Sequence, residues 1–141
     1  MHVDWVIPCR YCEVNGNMVT IVGGNIDRIM VPAVPAPDPL RVLCGVRVVA
    51  DHSEVDAEQT PEPPHRMSTR VYGPSMDLVN EMQEPFGLVG DFPPYIQPAV
   101  VMPIAVIFRP EAEGQHTIEV AVDDRGRSAP LSIVVAPPSE D

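Results

Sequence analysis

Two cysteines lie three residues apart in the segment Cys9-Arg10-Tyr11-Cys12, and a third follows at Cys44. Together with a histidine, three thiolates form a common tetrahedral ligand set for Zn²⁺. The pattern around Cys9 and Cys12 predicts a strand, however, and residues three apart on a strand point to opposite faces. Unless a bulge intervenes, one metal ion cannot bind both thiolates. We therefore expect no metal site here, and a zinc-dependent regulator remains an alternative.

The histidines form no catalytic arrangement in the sequence. The chain contains no H-E-x-x-H and no G-x-S-x-G motif, so neither a zinc-protease helix nor a serine nucleophile elbow is indicated. His116 begins a predicted strand two residues after Gly114. Sandwich domains commonly place a tyrosine there that bonds back to the preceding turn. We therefore expect a structural His116 and no enzymatic activity, and we expect solvent to be the partner of His65.

Two adjacent carboxylates, Asp123 and Asp124, resemble the oxygen cluster that Ca²⁺ prefers. Arg125 and Arg127 follow them closely and balance their charge. Asp and Gly close together are also the residue types that a tight turn requires. The sequence therefore predicts a turn at this point, and we expect no cofactor.

Charge is distributed unevenly in this chain of 141 residues, which has a formal net charge of −11 and no lysine. Residues 1–50 carry four acids and four arginines, whereas residues 51–141 carry sixteen acids and five arginines. Nucleic acids and anionic lipids are bound mainly through Lys and Arg. We therefore expect no nucleic-acid partner and no membrane contact, while the acidity favours solubility or a basic partner.

The cysteine count and the first residues indicate a cytoplasmic protein. Three cysteines are an odd number and too few for a secreted disulfide framework. The opening segment Met1–Trp5 lacks the basic region and the apolar run of a signal peptide. The longest apolar run, Ala99–Phe108, has ten residues and contains Pro103, so it is too short to span a membrane.

Alternation of apolar and polar residues with a period of two dominates the chain and predicts β-strands. It is clearest at Leu40–Ala50 and recurs at Arg66–Tyr72 and His116–Val122. The apolar spacing in Ser75–Glu84 fits either a helix or a strand, and we favour a strand over Leu78–Phe86. The eighteen prolines exclude a helical bundle. Strands with one apolar face bury that face in stacked layers. We predict an all-β fold, an antiparallel β-sandwich of immunoglobulin-like or jelly-roll topology with seven to eight strands; a closed barrel is the alternative.

This predicted single domain spans residues 1–136 and is followed by a short tail, 137–141. Asn15-Gly16 predicts a type I′ hairpin turn, because Asn and Gly accept a positive φ. Asp51–Pro64 contains five acids and three prolines with almost no apolar residue, which predicts a mobile acidic loop.

One loop carries the predicted binding residues. The segment Gly87–Pro98 contains Phe92, Tyr95 and Ile96, which is more apolar mass than a plain linker needs. Aromatic side chains on loops supply a large contact area at a small entropic cost. We therefore predict that these three residues form a contact surface; the alternative is that both rings cap one end of the sandwich.

The order of several short motifs resembles a family of short uncharacterised bacterial proteins. The motifs at the start are Cys9–Val14, Asn15-Gly16, Ile21–Gly24 and Asp27–Ile29, and those at the end are Phe108–Pro110, Gly114-x-His116 and Val122-Asp123. Cys12 stands where this family usually has alanine. The resemblance implies a small β-sandwich of unknown function and supplies no active-site residue.

The sequence therefore predicts a non-enzymatic protein-interaction or structural module. Its partner is a protein or further copies of itself, as in a larger assembly such as a particle or shell. The alternatives are a small-ligand-binding protein or enzyme with a loop-lined pocket, using His52, His65 or His116, and the zinc-dependent regulator using Cys9 and Cys12.

Overall fold

A computed structural model of the protein describes residues 1–15, 18–24 and 26–137. In this part of the chain it contains twelve strands and one 3₁₀ turn, and no α-helix. The strands are β1 (His2–Cys9), β2 (Tyr11–Asn15), β3 (Met18–Val22), β4 (Arg28–Val31), β5 (Leu40–Val49), β6 (Val55–Asp56), β7 (His65–Tyr72), β8 (Leu78–Phe86), β9 (Leu88–Val89), β10 (Ala99–Phe108), β11 (Gly114–Val122) and β12 (Arg125–Val135).

Eight of these strands form two larger sheets. The first has the order β1-β5-β10 with antiparallel pairing throughout. The second has the order β4-β12-β11-β7-β8 and is antiparallel except for the parallel pair of β4 and β12. No pairing among the described residues closes either sheet on itself. The predicted all-β class with antiparallel sheets is therefore confirmed.

The observed count of twelve exceeds the predicted seven to eight because the predicted strand before Asn15-Gly16 is divided into β1 and β2, and because β4, β6 and β9 were not predicted. β2 and β3 form a hairpin of five-residue strands, and β6 and β9 form a parallel pair of two residues each. A strand of two residues is too short to display a period of two, and its pairing depends on a partner that is distant in the sequence.

Alternation along the strands builds one apolar core between the two larger sheets. Val42, Cys44 and Val46 are every second residue of β5, and each has at most 2% of its surface exposed. Ile118 and Val120 of β11 are fully buried in the same cluster. Because the inward residues of both sheets belong to one cluster, the core lies between the sheets.

The outer face of the first sheet is covered as well. A Cβ atom on Gly45 of β5 would lie 3.0 Å from Ile21 Cδ1 and 3.5 Å from both Cys12 Sγ and Trp5 Cζ3. The β2–β3 hairpin therefore packs onto this face, where the absence of a side chain at Gly45 permits its close approach. Gly45 is buried on this face, whereas Arg41 is exposed and Arg47 is half-buried, so the hairpin covers part of the face.

The turn predicted at Asp123 and Asp124 is present. Val122 is paired with Arg125, and both intervening residues have positive φ values of 49° and 64°. Two residues with positive φ between paired strands form a type I′ turn. At the other predicted hairpin, β2 and β3 pair antiparallel, but Gly16 lies outside the described residues, as do residues 138–141 of the predicted tail.

The first part of the predicted acidic loop is structured. It contains the 3₁₀ turn His52–Glu54 followed by β6. Glu54 accepts hydrogen bonds from the Met1 ammonium group at 2.5 and 2.6 Å and from the Asp51 backbone N–H at 3.0 Å. These donors lower the pKa of Glu54. The sequence did not indicate this local structure, because the pairing of Glu54 with Met1 is distant in the sequence.

None of the helical segments in residues 1–15, 18–24 and 26–137 is long and apolar enough to cross a membrane.

Candidate functional site

The loop that carries the predicted binding residues connects β9 to β10. Phe92 is half-buried and packs against the core, and a Cβ atom on Gly90 would lie 2.9 Å from its Cε2 atom. Phe92 therefore serves to anchor the loop, because its ring faces the protein and not solvent.

Tyr95 and Ile96 point away from the body of the protein. Tyr95 has 86% of its surface exposed, more than any other large hydrophobic residue in the described chain, and Ile96 has 46% exposed. The backbone N–H of Ile96 donates to the Pro93 carbonyl at 3.0 Å, and Nε2 of His52 donates to the same oxygen at 3.0 Å. The loop is therefore held in shape while two of its three predicted binding residues stay accessible.

The three cysteines are all buried and reduced. Because β1 ends at Cys9 and β2 begins after Arg10, the two cysteines of the C-x-x-C segment lie on different strands, and the single-strand argument made from the sequence was wrong. Burial, with a contribution from Cys9, raises the pKa of the Cys12 thiol. Cys44 faces the core, where burial raises the pKa of its thiol to about 12. In the parts of the chain that the structure describes, no three His, Cys, Asp or Glu side chains are arranged to hold a metal ion.

The three histidines named as alternative site residues each have a separate partner. His52 bonds to the Pro93 carbonyl, and His116 is 1% exposed with Nδ1 3.1 Å from the Gly114 carbonyl oxygen. The prediction that His116 bonds back to the preceding turn is therefore confirmed. The ring of His116 also lies 5.8 Å from the ring of Phe108, centroid to centroid.

His65 has a carboxylate partner, and the expectation of solvent was wrong. Its Nδ1 atom lies 2.5 Å from Oδ2 of Asp123, while the backbone N–H of Arg66 donates to Oδ1 at 3.1 Å. These contacts, chiefly the one to His65, lower the pKa of Asp123. They arise because Val122 pairs with Met67, which brings the β11–β12 turn beside the start of β7.

A feature that sequence reasoning missed is an open groove between the edge strands of the two larger sheets. Among the residues that the structure describes, β8 is paired only with β7, and β10 only with β5. The groove between them has a volume of about 570 Å³, and Met67, Met82, Met102 and Ile104 supply most of its apolar lining. A second depression of about 430 Å³ shares Met102 with it and continues toward Val89. The alternation in the sequence marks both strands but does not indicate that they are neighbours.

Comparison with known proteins finds no match: no protein-family model, no curated protein and no solved structure is similar to this chain.

Proposed function

We propose that this chain is a non-enzymatic protein-interaction or structural module that contacts its partner through the loop bearing Tyr95 and Ile96. The partner is another protein or, in a larger assembly such as a particle or shell, a further copy of the chain. The exposure of Tyr95, at 86%, is the observation that carries this proposal.

The loop has two properties that suit a contact surface. Phe92 and the bonds to Pro93 hold it in shape, so little conformational entropy is lost on binding. Tyr95 has only two rotatable side-chain bonds and a large ring, and residues of this type are common at the centres of protein interfaces. An exposed aromatic ring on a fixed loop therefore gives a large contact area at a small cost.

The hydrogen-bond partners of three histidines support a binding role over catalysis. His52 and His116 are each hydrogen-bonded to a backbone carbonyl, and His65 is bonded to a carboxylate at a turn. Each imidazole is used to fix local structure. The resemblance to short uncharacterised bacterial proteins, the sandwich topology of immunoglobulin-like or jelly-roll type and the cytoplasmic location belong to the same proposal.

Site-specific crosslinking tests the proposal. A photoreactive benzoylphenylalanine replaces Tyr95 in one sample and Met30 in a matched control, since Met30 of β4 is also an exposed apolar residue, at 59%. After irradiation in the native host, crosslinked products are separated by mass and identified by mass spectrometry.

We expect position 95 to yield one discrete protein adduct, either with a partner or with a second copy, and position 30 to yield none of it. Equal adducts from both positions, or no protein adduct from position 95, would refute a contact role for the loop. Circular dichroism of both samples verifies that the substitutions leave the fold intact.

A further inference from the structure

The groove between β8 and β10 runs beside two free strand edges. Within residues 1–15, 18–24 and 26–137, each strand has a neighbour on one side only, so its backbone N–H and C=O groups on the other side are not used in a sheet. Such edges are templates for an added strand. The two edges are joined at one end of the groove, where Nδ2 of Asn80 donates to the Ile107 carbonyl at 2.5 Å.

The Asn80 contact also shows which backbone groups of β10 are free. Because backbone groups of alternate residues point to the same side of a strand, the carbonyls of Val101, Pro103 and Ala105 point to the free edge as that of Ile107 does. Pro103 has no N–H to donate. Because its nitrogen faces the free edge, the backbone hydrogen bonds between β10 and β5 are not interrupted. Val101 and Ala105 therefore offer both a donor and an acceptor to an added strand.

Most side chains at the groove are apolar, and Thr69, Gln83 and the negatively charged Glu84 are the polar ones among the described residues. Met82 and Glu84 of β8 lie opposite Thr69 and Met67, which are buried, so both face the space between the sheets. Of the described residues that line the groove, Glu84 is the single ionisable one. Within the described residues, Glu84 has no cationic partner within 4.0 Å.

We propose that this groove binds an extended segment of a partner protein that carries apolar side chains and one arginine or lysine. The segment adds to the free edge of β10 through Val101 and Ala105. Its apolar side chains contact Met82 and Met102, and its cation pairs with Glu84. Methionine side chains adapt their shape readily and are common on surfaces that accept varied apolar partners.

Charge complementarity favours this occupant over a second copy of the chain. Each copy carries a formal net charge of −11 and no lysine. Symmetric pairing of two β10 edges would also bring two Glu84 carboxylates toward one another, and like charges at such a contact are unfavourable. The proposal deepens the proposed interaction function but uses a surface separate from Tyr95.

Peptide titration followed by ¹⁵N–¹H correlation spectra tests the groove. The probe is acetyl-Thr-Val-Thr-Arg-Thr-Val-Thr-amide, in which the valines and the arginine share one face. We expect it to shift the amide signals of Val101 and Ala105, and we expect the peptide with Glu in place of Arg to bind about fivefold more weakly. Methylation of the peptide nitrogens that face β10 abolishes binding, because it removes the strand hydrogen bonds.

Two variants of the protein test whether the arginine of the peptide pairs with Glu84. Glu84→Gln reduces affinity for the arginine peptide about fivefold. Glu81→Gln makes the same charge change on the outer face of β8, where Glu81 pairs with Arg70 at 2.6 Å, and leaves the affinity unchanged.

Three results would overturn the proposal: no shifts at millimolar peptide, equal affinity for the Arg and Glu peptides, or equal effects of the two variants. A dimer of the protein alone that buries the Val101 and Ala105 amides would instead assign the edge to a second copy. Because the loop proposal is tested by crosslinking from position 95, failure of either proposal is distinguishable from failure of the other.

Discussion

The imidazole Nδ1 of His65 lies 2.5 Å from the carboxylate Oδ2 of Asp123, although 58 positions separate the two residues in the sequence. The contact joins the first residue of β7 to the turn between β11 and β12. It is reinforced by two backbone contacts: the Arg66 N–H donates to Asp123 Oδ1, and the Asp123 N–H donates to the Arg66 carbonyl. One carboxylate therefore fixes the position of a tight turn on a neighbouring strand.

Replacement of this carboxylate should change the dependence of stability on pH. Because the contacts of Asp123 lower its pKa, its ionised form stabilises the folded state. That contribution is complete above the pKa of the unfolded chain, about 4, and is lost as pH falls through the lower pKa of the folded state. We expect Asp123→Asn to lower the free energy of unfolding at pH 7 by about 0.5 kcal/mol, as for a hydrogen bond at a partly exposed site, and to have a smaller effect at pH 3.

Urea unfolding at both pH values measures this difference. Asp124→Asn is the matched control, because it removes the same charge from the neighbouring turn residue, which also has a positive φ. Asparagine adopts positive φ readily, so neither variant strains the turn. Identical pH profiles for the two variants would show that the His65 contact contributes nothing.

His116 should contribute to stability through both its ring and its hydrogen bond. The side chain is 1% exposed and packs against Phe108. We expect His116→Ala to lower the free energy of unfolding by about 3 kcal/mol, because it leaves a cavity. His116→Phe retains a ring but loses the bond to the Gly114 carbonyl, so its cost should be about 1 kcal/mol. Chemical denaturation measures the free energy of unfolding of both variants. An equal loss of stability in the two would contradict separate contributions from the ring and from the hydrogen bond.

The three thiols should be almost unreactive in the folded protein. Cys9, Cys12 and Cys44 have at most 8% of their surfaces exposed. At Cys44, the rise of the pKa from 9.0 to about 12 lowers the thiolate fraction near neutral pH about a thousandfold, and the thiolate is the reactive form. With a chromogenic disulfide reagent at pH 8, we expect slow reaction of the native protein and rapid reaction of three thiols in guanidinium. Rapid modification of Cys44 in the native state would be inconsistent with its position in the core.

A side chain at Gly45 should displace the β2–β3 hairpin from the first sheet. A Cβ atom there would lie 3.0 Å from Ile21 Cδ1 and 3.5 Å from Cys12 Sγ and Trp5 Cζ3. Gly45→Ala can be accommodated by a small movement of Ile21, whereas Gly45→Val overfills the site at a cost of about 1–3 kcal/mol. Because Trp5 is the one tryptophan of the chain, its fluorescence reports on this contact.

We expect the emission of Trp5 to shift to longer wavelength in the order Gly, Ala, Val, and the reaction rate of Cys12 to rise in the same order. Far-ultraviolet circular dichroism verifies that the two larger sheets persist. Unchanged fluorescence in Gly45→Val would mean that the hairpin does not pack as the structure places it.

Periodicity in the sequence was sufficient to identify the longer strands. Leu40–Ala50 was predicted and β5 spans Leu40–Val49, and the predicted strand Leu78–Phe86 coincides with β8. The turn at Asp123 and the bond made by His116 were also predictable, because each depends on residues within a few positions of one another. Among the predicted binding residues, Tyr95 is exposed and Phe92 points inward. The sequence could not indicate which of the two would be exposed, since both are aromatic residues in one loop.

The sequence by itself therefore determined which side chains alternate, which segments are extended and where tight turns fall, because these depend on local sterics and on a two-residue repeat. The tertiary structure alone decided that Asp123 meets His65, that Cys9 and Cys12 lie on different strands, and that β8 and β10 border a common groove. Contacts of this kind depend on strand order and register, which are set by the packing of the whole core and not by the residues that make the contact.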